Sequence, residues 1–130
     1  MREILKISYP PSPAGKKAWL KEYGTNAYWA GKHWAKRKED AKFWHTITIG
    51  AMNRAGVRKK PFEKPVVITF LWDDNLDIDN HSIMGKMIVD ALKTRLINDD
   101  SKKWVKGVEH FYHGGGCIKV IVQEVESHED

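Results

Sequence analysis

The chain has 130 residues, enough for one domain (1–130) with a core that needs no cross-links. Its single cysteine, Cys117, excludes an internal disulfide framework. No apolar run is long enough to span a bilayer, and MREILKISYPPSP lacks the pattern of a secretion signal, so a cytoplasmic protein with no membrane partner is expected.

The net charge of +5 is unevenly laid out. Residues 1–60 carry 14 Lys/Arg against 4 Asp/Glu, whereas residues 61–130 carry 8 against 13. A basic half suits an anionic partner, nucleic acid being the commonest, or else a solvated helix face. Carboxylates clustered near a polyanion call for a divalent cation between them and the phosphates.

In chain order, Ile4 to Tyr9 alternates as a short strand that Pro10, Pro11 and Pro13 end. Residues 14–26, with two glycines, read as a loop. A long helix is predicted from about Tyr28 to Met52 or Ala55, with Trp34, Ala41, Trp44, Thr48, Ala51 and Ala55 at helical spacing and Gly56 as the stop. Its other face carries Lys32, Lys36, Arg37, Lys38 and Lys42, and a basic linker follows with Arg58, Lys59 and Lys60. Val66 to Trp72 (VVITFLW) is β-branched and aromatic and reads as a strand. A second helix is predicted from about Asn80 to Leu96, with Ile83, Met84, Met87, Ile88, Ala91 and Leu92 as its apolar stripe. Trp104 to Tyr112 and Cys117 to Val125 read as an antiparallel strand pair joined by a hairpin turn at His113-Gly114-Gly115-Gly116. The order β-α-β-α-β-β predicts an α+β domain, a mixed sheet with helices against it.

The acidic half holds the sharpest chemistry. Asp77 and Asp79 lie two apart, so in an extended segment their carboxylates point the same way. Mg²⁺ takes one or two carboxylates plus water and phosphate. Positions 79, 86 and 90 share a helix face, but at about 1.5 Å per residue Asp90 lies roughly 16 Å from Asp79, too far for one ion. Asp90 is therefore expected to hold Lys86 at i,i+4 or to orient the following loop. Asp99 and Asp100 follow the helix. Asn80 reads equally as an N-cap, and Asn98-Asp99-Asp100 equally as a turn.

LDIDN (76–80), K-x-x-x-D-A-L (86–92) and NDD (98–100) together resemble the RusA family of Holliday junction resolvases, often carried by phages and prophages, and YPPSP (9–13) resembles that family's N-terminal strand and Pro-Pro-Ser. The resemblance spans most of the chain and is sharp over about residues 76–105. It implies a homodimer in a bacterial host cell that cuts branched DNA, the four-way junction above all, with Mg²⁺ (Mn²⁺ being an alternative). Its catalytic and metal-binding aspartates fall at Asp77, Asp79 and Asp100 and its functional lysine at Lys86, with Asp90, Asp99 and Asn80 in support. The spacing from Asp79 to Lys86 is three residues longer than in the best-known member, close to one helical turn. The shorter DALKTRLINDD segment and the glycine-rich turn also depart from the pattern. Three other readings stay open: a nuclease for other branched DNA, a DNA-binding protein without catalysis, and a generic α+β interaction module.

Six histidines are present, none paired at a metal-ligand spacing, and His81 is expected in the first turn of the second helix. Trp19, Trp29 and Trp34 are candidates for stacking on unpaired bases, with core or dimer interface as the plainer role. Cys117 is expected in the last strand, buried rather than reactive.

Overall fold

The structure, a computed structural model, describes residues 1–126. It is an α+β fold with a mixed four-stranded sheet. Strand β1 (Arg2–Ser8) is followed by α1 (Pro13–Tyr23), α2 (Thr25–Trp29) and α3 (Trp34–Ala55). Then come β2 (Val66–Trp72), a 3₁₀ turn (Ile78–His81), α4 (Ser82–Leu92), β3 (Val105–Tyr112) and β4 (Cys117–Glu124). Buried residues alternate along β2, from Val66 through Ile68 and Phe70 to Trp72, and along β4 at Ile118, Val120 and Val122, so one sheet face carries the core.

Three expectations about the helices change. Residues 14–26 hold α1 rather than a loop: Ser12 Oγ accepts the Gly15 N–H at 3.0 Å, and Pro13 sits where a missing N–H costs nothing. Gly24 is the C-cap of that helix. The segment 28–55 is also not one helix. Gly31 takes φ 91°, breaking the chain after α2, and His33 Nδ1 then caps α3 by accepting the Ala35 N–H at 3.2 Å. The stop at Gly56 is as expected, with φ 63°. Of the row expected to face the core, Trp44, Thr48 and Ala51 are buried, while Trp34 is 70 % exposed. Finally, α4 ends at Leu92, not Leu96. The backbone tightens there, the Leu92 carbonyl accepting N–H groups from Arg95, Leu96 and Ile97, while Leu96 and Ile97 still reach the core. The four-residue spacing of Ile88, Leu92 and Leu96 mimics a helix stripe across that tightening.

The last two strands correct the expected hairpin. The strand order is β1-β4-β2-β3, so β2 lies between β3 and β4. β3 runs parallel to β2, pairing Ile68 with Val108 and Trp72 with Tyr112. β4 is antiparallel to both β1 and β2. The strongly apolar β2 takes an interior position, as does β4, and the loop at 113–116 crosses the end of β2, a span of roughly 10 Å for two strand spacings. That crossing is pinned by the His113 N–H on the Trp72 carbonyl (2.9 Å) and the Gly116 N–H on Asp73 Oδ2 (2.7 Å).

Candidate functional site

The acidic segment leaves the C-terminal end of β2, beside its parallel neighbour β3, the edge at which ligands gather in parallel sheets. Its two ends are tied by a buried polar clamp. The Asp74 and His81 side chains have no exposure, and His81 Nε2 lies 2.8 Å from Asp74 Oδ1. Tyr9, at the end of β1, donates its hydroxyl to Asp74 Oδ2 (2.7 Å) and accepts the Asp73 N–H (2.9 Å). The Leu76 N–H adds a further bond to Asp74 Oδ1 at 3.0 Å. His81 Nδ1 faces the Ile78 carbonyl at 3.1 Å, so both ring nitrogens are engaged within the clamp. Burial by itself raises the Asp74 carboxyl, but the hydrogen bonds from His81 and Tyr9 outweigh it and hold the group below the usual carboxylate range. The Tyr9 phenol is raised, by burial first and then by Asp74. His81, expected in the first turn of the second helix, stands at the N-cap of α4 as a buried clamp residue, its ring 4.4 Å from that of Trp72.

Asp77 and Asp79 stand on the exposed crest of the loop so closed. The Asp77 carbonyl starts the 3₁₀ turn by accepting the Asn80 N–H at 2.9 Å, while its carboxylate caps nothing. Neither carboxylate has an ion-pair partner among the described residues. Tyr112, at the end of β3, donates its hydroxyl to the Leu76 carbonyl. Its phenol is raised by desolvation and then by the charges of Asp74, Asp77 and Asp79. Asn80 does not cap α4. Its Oδ1 accepts the Asn26 N–H at 2.8 Å and so ties α2 to the acidic loop.

Asp90 and Asp100 belong to a second group, at the other end of α4. Lys93 Nζ bridges them, 3.4 Å from each, and Lys86 Nζ meets Asp90 at 3.3 Å, the i,i+4 pair expected from spacing. Desolvation raises the Asp100 carboxyl, but Lys93 outweighs it and holds the group low. Asp99 is exposed beside it. Among the described residues no three His, Cys, Asp or Glu side chains are arranged to cage a metal, and Asp100 pairs with Lys93 rather than with the crest that carries Asp77 and Asp79.

The basic residues divide as well. Lys32 is drawn inward, its side chain 10 % exposed, bonded to the buried Asp40 and 3.2 Å from Glu22, under the rings of Tyr23 and Tyr28. Arg37 holds the turn before α3 through the carbonyls of Lys32 (2.8 Å) and Tyr28 (3.1 Å). Arg58 packs over Phe62 and bonds the Lys60 carbonyl. Lys36 shares Glu22 and Glu39 at 3.6 and 3.7 Å. Lys38, Lys42, Lys59 and Lys60 are exposed and have no ion-pair partner among the described residues. Trp19 belongs to the fold, packed against Tyr9, Tyr23 and Trp44, whereas Trp29 and Trp34 are 83 and 70 % exposed.

No family model matches the chain, and a search of curated proteins finds no match. Tyr9 and Asp74 were not singled out from the sequence. Asp74 is passed over within an acidic run, and Tyr9 is 65 residues away, so only the sheet brings them together. The usable signal was a histidine seven residues after an aspartate at a strand end.

Proposed function

We propose that this chain is a Mg²⁺-dependent endodeoxyribonuclease that resolves four-way DNA junctions as a homodimer, in the manner of the RusA family it resembles. The observation that carries this reading is the pair Asp77 and Asp79: exposed, without a protein cation, on a loop locked at both ends by Tyr9, Asp74 and His81. Like charges held close repel unless something neutralises them, and a hard divalent cation does so with oxygen ligands. Mg²⁺ or Mn²⁺ held by these two residues would supply positive charge at a scissile phosphate and acidify water there. Lys86, 66 % exposed, would turn from Asp90 to meet a phosphate as a point charge. Lys38, Lys42, Lys59 and Lys60 would follow the DNA backbone, giving binding a steep salt dependence.

The engagement of Asp100 with Lys93 favours a second reading, a DNA-binding protein whose acidic loop is structural. Calorimetric titration with Mn²⁺ separates them. On the nuclease reading the full chain binds the ion, Asp77→Asn and Asp79→Asn lose it, and Asp100→Asn keeps it. A wild-type chain that binds branched DNA but takes up no Mn²⁺ and cuts no member of a panel of branched substrates belongs to the second reading.

A further inference from the structure

The first turns of α3 carry a feature that the acidic site does not use. Trp34, Lys38, Lys42 and His45 follow one another at helical spacing along one face, with Ala35 and Ala41 as a low floor between them. They line a shallow, open groove of about 490 Å³ on the surface of this one helix. Trp34 is 70 % exposed, and the ring of His33, 5.7 Å away, flanks it while His33 Nδ1 is held by the cap of α3. Lys38 and Lys42 have no ion-pair partner among the described residues, and Glu39, also in the groove, lies 3.7 Å from Lys36. No acidic residue occupies the first turn of this 22-residue helix, so its positive end adds to the lysines. The groove thus offers an exposed indole beside uncompensated positive charge. An apolar partner would leave those charges unmet, and a plain anion would leave the indole bare. A nucleotide meets both, its base on the ring and its phosphate on a lysine.

We infer that the groove of Trp34, Lys38, Lys42 and His45 binds an unpaired nucleotide of a DNA strand, the base stacked on Trp34 and the backbone on the two lysines. Paired bases in a duplex keep their faces covered, so the indole selects strands that are open, as at a branch point. The acidic loop is tied to α2, the helix that precedes the groove in the chain. Asn80 holds the Asn26 N–H, and Trp29, exposed as well, stands one turn further along α2. The inference rests on the nucleic-acid half of the proposed function and not on metal or cleavage.

The test is equilibrium binding of the full chain, in EDTA, to a labelled single-stranded oligodeoxythymidine and to a fully paired duplex. Trp34→Ala is expected to weaken single-strand binding about tenfold and to leave duplex binding unchanged, with Trp34→Phe retaining most of the affinity. Lys42→Ala is expected to weaken both and to make the salt slope shallower by about 1. A Trp34→Ala variant that loses both ligands equally, or neither, overturns the inference. So does one that binds both ligands as wild type does but falls from dimer to monomer in sedimentation, since the indole would then face a second copy. Because metal is withheld, a chain that cuts nothing yet passes this test keeps the groove and loses the nuclease. A chain that cuts four-way junctions while Trp34→Ala binds both ligands as wild type does the reverse.

Discussion

Thr48 and Trp44 lie on the buried face of α3, and neither Thr48 Oγ1 nor Trp44 Nε1 has a hydrogen-bond partner among the described residues. An unpaired buried hydroxyl costs more than it returns, so Thr48→Val is expected to raise stability by about 1 kcal/mol, read as a higher urea midpoint. A lower midpoint would mean that the hydroxyl is satisfied. His110 gives the fold a pH dependence. Trp72 Nε1 donates to His110 Nδ1 at 3.0 Å, so a proton on that nitrogen breaks the bond. Burial, with His81 nearby, lowers the His110 pKa from the ordinary 6.5. As pH falls the unfolded chain therefore takes up this proton first. The stabilisation is complete above about pH 6.5 and is lost as pH falls through the folded value. Asp74 adds a more acidic limb: its lowered carboxyl contributes above about pH 4 and loses that contribution as pH falls further. Urea midpoints across a pH series are expected to show both limbs, with His110→Gln flattening the first and sparing the second. At this scale the exposure of Asp77 and Asp79 past the end of β2 was legible, but not their backbone: Asp79 lies within a 3₁₀ turn, where an extended segment was expected. The clamp beneath them was not legible either, because Tyr9, Asp74 and His81 meet only when β1 and β2 enter one sheet.

The elements show how closely the helix layer sits on the sheet. Gly85 faces His110 from within α4, and a Cβ built there would stand 3.0 Å from His110 Cε1 and 3.5 Å from the Phe70 ring. His110 has little room to give way, being stacked 5.1 Å from Phe70 and bonded to Trp72. Gly85→Ala is therefore expected to destabilise the fold although alanine favours a helix by about 1 kcal/mol over glycine. A higher urea midpoint in that variant would show that His110 moves aside. Strand β2 and the α3 stop were readable from composition and from Gly56, where local chemistry decides. The β3–β4 hairpin was misread because a glycine-rich turn between two strands looks the same whether it joins neighbours or crosses a third strand. What decided it was competition for β2, a property of the whole sheet. Helix α1 was hidden by three prolines that announce a strand end, although Ser12-Pro13 is also a helix start.

Across the whole molecule, the uneven charge of the sequence resolves into two regions. The acidic loop at the end of β2 holds two carboxylates on a rigid base, and α3 presents lysines and a tryptophan outward. The α+β class was legible in the element order, whereas the split of the five aspartates between the two ends of α4 was not, because it depends on where the loop after Leu92 turns. No described helix is long and apolar enough to cross a membrane. The account stands or falls on cleavage of a mobile four-way junction by the purified full chain with Mg²⁺. It predicts paired, symmetrical nicks that vanish in Asp79→Asn while junction binding persists. A wild-type chain that binds the junction and leaves it intact with both Mg²⁺ and Mn²⁺, or an Asp79→Asn variant that cuts as well as wild type, would contradict it.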